Sequence, residues 1–131
     1  MSRNQPTIGT VARQVGVNVE TIRYYQRIGL VKEPPKNGGF RLYSDKAVTR
    51  LLYIRHLKKL GFTLREITNL LEARAKGCGE VGAILTNKRS EVLQKIEQMR
   101  AAAEELEQME IVCRKPSSNG SGACPLIPES D

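Results

Sequence analysis

Residues 7–29 read Thr7-Ile8-Gly9-Thr10-Val11-Ala12-Arg13-Gln14-Val15-Gly16-Val17-Asn18-Val19-Glu20-Thr21-Ile22-Arg23-Tyr24-Tyr25-Gln26-Arg27-Ile28-Gly29. Ile8, Val11, Ala12 and Val15 recur at helical spacing behind Thr7, a residue type that caps helix starts. Gly16 stops that helix, and Asn18 caps a second, running from Val19 to Ile28 with Ile22 facing inward and Gly29 closing it. Two short helices joined by Val15-Gly16-Val17-Asn18 have the length and turn chemistry of a helix-turn-helix over about residues 8–27. Shape alone is a weak signal, because many small bundles contain such a pair.

Working outward, residues 30–43 read LVKEPPKNGGFRLY. Two prolines exclude helix there, and Asn37-Gly38-Gly39 is a hairpin-type turn, so the segment is expected to form a small β wing. Ser44 caps a third helix from Asp45 to Leu60, with Val48, Leu51, Leu52, Ile54 and Leu57 on a broad apolar face. Gly61 ends it. Thr63-Leu64-Arg65-Glu66 is a capping box, so a fourth helix runs from there through Ile67, Leu70 and Leu71.

Charge and aromatic content divide the chain near Ala75. Residues 1–74 hold 14 Lys/Arg against 5 Asp/Glu, 14 − 5 = +9, while residues 75–131 hold 7 against 9, 7 − 9 = −2, which sum to +7. All six aromatics (Tyr24, Tyr25, Phe40, Tyr43, Tyr53 and Phe62) lie in the first part. That part is expected to build a small globular core and present a cationic face to a polyanion. With 40% apolar and 27% charged residues the chain has the composition of an ordered soluble protein. It contains no run of 18 apolar residues to span a membrane. Its start, MSRNQPTIGTVARQ, lacks the apolar stretch of a signal peptide, which makes the cytoplasm the expected location.

Lys76-Gly77-Cys78-Gly79 reads as a flexible break. From Glu80 to about Val112 there is no proline, and Val81, Leu85, Val92, Ile96, Met99, Ala103 and Leu106 fall near a three-four spacing, imperfect around Lys88 and Arg89. One apolar stripe on so long a helix cannot bury itself. The economical partner is the same helix in a second copy. Residues 113–131 form a tail rich in Pro, Ser and Gly. The expected organisation is therefore residues 1–75 for the helix-turn-helix and wing, 80–112 for a dimerisation helix, and 113–131 for a loop and tail.

The three cysteines bracket that helix. Cys78 precedes it and Cys113 follows it, 113 − 78 = 35 positions later, roughly 50 Å at ~1.5 Å per residue. Within one chain they cannot share an ion. If two such helices pair antiparallel, Cys78 of one subunit approaches Cys113 of the other, and the tail can fold Cys124 onto the same spot. A dimer then holds two equivalent three-sulfur sites. The only histidine, His56, lies in the basic part, so the site offers thiolates without imidazole. Such a set selects soft ions such as Hg²⁺, Cd²⁺, Pb²⁺, Cu⁺ or Zn²⁺. Structural zinc normally takes four protein ligands, and three sulfurs suit Hg²⁺ well and Pb²⁺ also. By pattern alone, a metal or redox site stands level with ordinary buried thiols acting as small hydrophobes. An enzyme with a nucleophilic Cys would need a base, and His56 lies in the other part of the chain.

These residues carry a resemblance. Thr7-Ile8-Gly9, Val17-Asn18-Val19-Glu20-Thr21-Ile22-Arg23-Tyr24-Tyr25, Gly29-Leu30, Arg41-Leu42-Tyr43 and Leu60-Gly61-Phe62-Thr63-Leu64-Arg65-Glu66-Ile67 are similar to the motifs of the MerR family of transcription regulators. The resemblance covers essentially the whole chain. It implies a mainly α fold: a winged helix-turn-helix DNA-binding domain, a long dimerisation helix forming an antiparallel coiled coil, and a short metal-binding tail. Within the family, a Cys at position 78 resembles the divalent-metal sensors, whereas copper(I) sensors usually carry Ser there. Cys113 with Cys124-Pro125-Leu126-Ile127 is similar to the mercury-resistance branch, although the stretch between the cysteines is two residues longer here. The redox-sensing branch has four clustered cysteines and the drug-sensing branches a large C-terminal domain, neither of which this sequence carries.

The resemblance further implies a homodimer on palindromic double-stranded operator DNA, acting with RNA polymerase at the promoter and not at a membrane. Without metal it represses; with metal, Hg²⁺ first and Pb²⁺ or Cd²⁺ as alternatives, it distorts the operator and activates a mercury-resistance promoter. Val19, Glu20, Thr21, Arg23 and Tyr24 would lie on the recognition helix, Arg41 and Tyr43 on the wing, and Lys58 near phosphate. The plainer alternative for each is surface solubility, or core packing for Tyr25 and Tyr43. Two rival functions share the fold. One is a Pb²⁺ or Cd²⁺/Zn²⁺ sensor, whose zinc and cadmium relatives tend to add a second Cys or a His near the tail. The other is a thiol redox switch, which would form an intersubunit disulfide.

Overall fold

The computed structural model describes residues 5–114 and 122–131; the loop expected between Cys113 and Cys124 lies largely outside the described residues. The elements follow in the order α1 (Ile8–Val15), α2 (Val19–Arg27), β1 (Lys36–Asn37), β2 (Phe40–Arg41), α3 (Asp45–Lys59), α4 (Leu64–Ala73) and α5 (Cys78–Arg114), with a single 3₁₀ turn over Arg74–Lys76. The fold is mainly α, with a winged helix-turn-helix ahead of one long helix.

Local chemistry sets most boundaries. Asn18 begins α2 by accepting the Thr21 N–H at 2.7 Å, which satisfies one of the first-turn donors a helix leaves unpaired. Ser44 does the same for Ala47 at the start of α3. Thr63 and Glu66 form the reciprocal capping box of α4: the Glu66 N–H donates to the Thr63 hydroxyl at 3.1 Å, and the Thr63 N–H donates to the Glu66 carboxylate at 2.8 Å. Thr7 occupies the cap position of α1 in extended backbone, but its side chain makes no capping bond.

The wing is a two-stranded antiparallel hairpin, Lys36 opposite Arg41 and Asn37 opposite Phe40. Its turn residues Gly38 and Gly39 both take positive φ, 63° and 90°, the pattern that matches the right-handed twist of the flanking strands. Gly16, at the end of α1, sits at φ 83°, and a Cβ there would lie 3.2 Å from the guanidinium carbon of Arg55 on α3. Arg55 thus packs against the turn between the two helices of the motif.

The core gathers Val11 and Val15 of α1, Ile22 of α2, Leu51, Ile54 and Leu57 of α3, and Ile67 of α4, with Tyr43 ahead of α3. The aromatics divide between core and surface. Tyr25, Tyr43 and Phe62 are buried, whereas Phe40 is 65% exposed at the wing, and Tyr24 and Tyr53 are also exposed.

Two boundaries move. The last helix begins at Cys78 and ends at Arg114, two residues beyond expectation at each end, so Cys78 stands in its first turn and not in a flexible break. The break is confined to the 3₁₀ turn and Gly77. The chain also falls into two compact units, the first reaching to Ile84 and the second running from Leu85 to Asp131, not dividing near Ala75. The reason is packing: Val81 and Ile84 are partly buried against the core of the first unit. Beyond them, Leu85, Val92, Ile96, Met99 and Leu106 are exposed. Lys88, where the sequence stripe is imperfect, is buried and donates to Glu91 at 2.9 Å. Among the described residues, no helix is long and apolar enough to cross a membrane.

Two glycine replacements in α1 and its cap are expected to differ in sign. Gly9 has ordinary helical backbone, and a Cβ there would meet only the tip of Arg13 at 3.9 Å, so Gly9→Ala is expected to stabilise by about 0.5 kcal/mol. Gly16→Ala forces an L side chain into positive φ and against Arg55, and is expected to destabilise by about 1 kcal/mol or more. Chemical denaturation of the two variants measures both. Equal stability for both would mean that the Gly16 turn is not under the constraint described.

Candidate metal centre and nucleic-acid interface

All three cysteines are free and exposed in the single chain. Cys113 stands in the last turns of α5, and Cys124 begins a turn in which the Ile127 N–H donates to the Cys124 carbonyl at 3.4 Å. Pro125 is well suited to the second position of that turn. The turn brings the two sulfurs together: Cys113 Sγ lies 3.6 Å from Cys124 Sγ. A disulfide would require ~2.05 Å. Two metal–sulfur bonds of ~2.3 Å at trigonal or tetrahedral angles put their sulfurs roughly 4 Å apart, so the pair needs little movement to grip one ion.

The two thiols are not equivalent. The backbone N–H of Leu126, the Cys113 thiol and the N–H of Ile127 all favour a negative charge on Cys124, and they hold its thiol below the ordinary range against the opposing pull of desolvation. Cys113 is pushed up, chiefly because it keeps its proton to donate to Cys124, with desolvation and the neighbouring negative charge adding to the effect. Of the two, Cys124 is the thiol that gives up its proton more readily.

Around them runs a groove of about 630 Å³ whose apolar lining is Ala103, Leu106, Met109, Leu126 and Ile127. Among the described residues, no group of three or more His, Cys, Asp or Glu side chains is placed to hold a metal ion. Cys78, the remaining candidate ligand, belongs to the first unit, at the other end of α5. Within the second unit, the sulfurs brought together among the described residues are those of Cys113 and Cys124.

The second candidate site is the face made by α2 and the wing. Ile22 and Tyr25 turn inward, leaving Glu20, Thr21, Arg23 and Tyr24 outward, with Val19 half-buried at the edge of the core. Glu20 and Arg23 pair at 2.9 Å, the Thr21 hydroxyl donates to Asn18 at 2.8 Å, and the Arg27 guanidinium lies 5.6 Å from the Tyr24 ring centroid. Between α2 and the wing is a groove of about 520 Å³ that collects the cations Arg23, Arg27, Lys36 and Arg41. Lys58 is exposed in the last turn of α3.

Two of the expected contact residues are engaged internally. Tyr43 is 1% exposed and its hydroxyl accepts a hydrogen bond from the Gln26 amide. It is a core residue that braces the recognition helix, because a large ring at the wing–α3 corner gains more from burial than from water. Arg41 remains half-exposed, but it donates to the Pro34 carbonyl at 2.7 Å and pairs with Glu33 at 3.5 Å. Conversely, Arg27, Lys36 and Phe40 line the groove and lie outside the expected set of contact residues. Their signal was present: Lys36 and Phe40 lie within two residues of the wing turn, and Arg27 lies one helical turn from Arg23.

Comparison with known proteins matches this geometry. The family described as MerR HTH family regulatory protein matches residues 7–74, and a second, described as MerR, DNA binding, matches residues 48–109. A mercuric resistance operon regulatory protein from Pseudomonas fluorescens is 40% identical over 123 residues, covering 92% of this chain and 84% of that protein. The Escherichia coli transcriptional regulator ZntR is 33% identical over 111 residues, covering 81% of this chain and 79% of its own. Among solved structures, a Ralstonia metallidurans transcription regulator in complex with lead(II) is similar at TM-score 0.72 and 34% identity, covering 95% of this chain and 94% of that one. The mercury(II)-bound MerR of Bacillus megaterium is similar at TM-score 0.67 and 34% identity, covering 92% and 95%. A family match over residues 7–109, with relatives at this identity along nearly the full length, establishes that the chain belongs to the MerR family of helix-turn-helix, DNA-binding regulatory proteins.

Proposed function

We propose that this metal-responsive transcription regulator senses Hg²⁺ as a homodimer, and that each sensing site takes Cys113 and Cys124 from one subunit and Cys78 from the other. The observation that carries the reading is the 3.6 Å approach of two exposed thiols in a chain whose third thiol lies at the opposite end of the same helix. The exposed stripe of Leu85, Val92, Ile96, Met99 and Leu106 supports a partner helix, and antiparallel pairing sets its first turn beside the last turn of the other. Identity to mercuric resistance regulators supports Hg²⁺ over other soft ions. The lead(II)-bound neighbour supports Pb²⁺ as the second reading.

In this reading, Cys113 and Cys124 close on the ion and Cys78 of the partner subunit completes it, so metal binding fixes the two subunits relative to each other. The change reaches operator DNA through the two recognition helices. Val19, Glu20, Thr21, Arg23 and Tyr24 face the major groove, and Arg41, Lys58 and the groove cations meet phosphate, with Tyr43 acting from the core. Without metal the dimer represses. With metal it bends and untwists a mercury-resistance promoter so that RNA polymerase engages it, and bases it never touches contribute through their deformability.

In vitro transcription with a metal panel in excess low-molecular-weight thiol tests the ion. Activation is expected at sub-stoichiometric Hg²⁺; a response to Pb²⁺ without one to Hg²⁺ replaces the first reading by the second. Mixing Cys78→Ala subunits with Cys113→Ala/Cys124→Ala subunits tests the geometry. One intact site per heterodimer is expected to bind metal, and heterodimers that bind none refute the shared site.

Metal binding must displace the Cys113 proton, and that order of ionisation is measurable without metal. Cys124, whose thiol is lowered, is expected to be alkylated by limiting iodoacetamide ahead of Cys113 near neutral pH. The preference disappears once pH rises above the raised Cys113 range. Faster labelling of Cys113 near neutral pH would reverse the assignment.

DNA affinity is expected to fall steeply with salt, by about 0.9 log unit per log unit of salt for each phosphate neutralised. Lys58→Ala is expected to reduce that slope by about 1 while weakening all sequences alike. A slope unchanged in this variant removes Lys58 from the phosphate contacts.

A further inference from the structure

We propose that Cys113 and Cys124 of a single chain form a complete chelating site for monoorgano arsenic(III) compounds, which occupy the sensor without recruiting the partner subunit. The two sulfurs are exposed, 3.6 Å apart, and held by elements of one compact unit, a helix end and a tight turn. An ion that seeks three sulfurs must reach beyond this pair. An arsenic(III) centre with one carbon substituent has only two exchangeable ligands, which the pair satisfies alone.

The reaction is an exchange without oxidation or reduction. R–As(OH)₂ meets the two thiols, two As–O bonds break, two As–S bonds form, and each thiol proton leaves with a hydroxide as water. Arsenic stays trivalent throughout. The product is a ring closed by Cys113, Cys124 and the intervening chain, favoured because both thiols are already together.

The surroundings give the organic substituent a place. Of the groove's apolar lining, Leu126 and Ile127 belong to the tail turn and not to α5, and Ile127 is 64% exposed. A phenyl group on arsenic would bury against them, whereas a methyl group is too small to do so.

One consequence rests on the proposed sensing site. With both tail thiols capped and no valence left for Cys78 of the partner subunit, the subunits are not bridged, so the adduct blocks the response to Hg²⁺ and does not mimic it.

The test uses the reduced full-length protein and phenylarsonous acid. Intact mass is expected to show one phenylarsenic group per chain in the wild type and in Cys78→Ala alike, and none in Cys113→Ala or Cys124→Ala. The wild type's three titratable thiols are expected to fall to one. Loss of the adduct in Cys78→Ala, or a fall to no free thiol, overturns the single-chain site. Phenylarsonous acid is expected to bind about tenfold more tightly than methylarsonous acid, from the added apolar burial, with Ile127→Ser narrowing the ratio. Equal affinities in the wild type overturn the groove's role. Hg²⁺ titration of the same preparations separates the two readings. Hg²⁺ bound in the normal ratio by protein that forms no adduct defeats the arsenical site alone, and an adduct in protein that ignores Hg²⁺ defeats the mercury reading alone.

Discussion

The contact between Cys113 and Cys124 is the interaction on which the sensing end depends. A turn opened by Cys124 and Pro125 folds one sulfur to 3.6 Å from the other, and the backbone N–H groups of Leu126 and Ile127 stabilise its negative charge. The two sulfurs are therefore held close together, with Cys124 the more readily ionised. In the proposed sensing site the third donor is Cys78, which α5 carries at its opposite end. A site finished within one chain would report metal to that chain alone, whereas a site finished by another subunit converts ligand binding into a constraint between two DNA-binding units.

The nucleic-acid face has a similar logic of prior engagement. Glu20 holds Arg23, Arg27 lies over Tyr24, and Glu33 with the Pro34 carbonyl holds Arg41. These are exposed or half-exposed pairs, worth little as stabilisers, and phosphate can exchange for them at small expense. Their effect is to keep long side chains near the groove in a limited set of conformations, which reduces the entropy lost when DNA arrives. Tyr43 contributes from beneath, through Gln26, by fixing the helix that presents them.

Much of this was legible in the sequence because its signals are local. Asn18, Ser44, and Thr63 with Glu66 announce helix starts through bonds that span three residues, and the structure contains each of those bonds. The paired glycines of the wing turn are equally local. What could not be read depends on contacts between distant positions. The start of α5 at Cys78 and the attachment of Val81 and Ile84 to the first unit follow from packing, and a glycine-flanked cysteine reads locally as a break. The burial of Tyr43 and the exposure of Phe40 are of the same kind, since nothing near either residue says which of them faces the core. The three-sulfur idea came from counting helical rise, which is local, but the inequality of Cys113 and Cys124 came from hydrogen bonds in a turn that only coordinates reveal.

The hairpin of the wing has a consequence in terms of handedness. Gly38 and Gly39 occupy successive positive-φ positions, and a side chain at either would meet nothing within 4 Å. Space is available, so what bars ordinary residues is chirality alone: the turn is a short stretch of backbone with the mirror-image preference. A D-amino acid would sit there without strain where its L counterpart would not. Since twenty genetically encoded residues offer only glycine, with asparagine and aspartate as poor seconds, as achiral or tolerant substitutes, the tip of the wing has almost no freedom to vary in side chain. The residues beside it, Asn37 and Phe40, are where this hairpin can diversify what it presents.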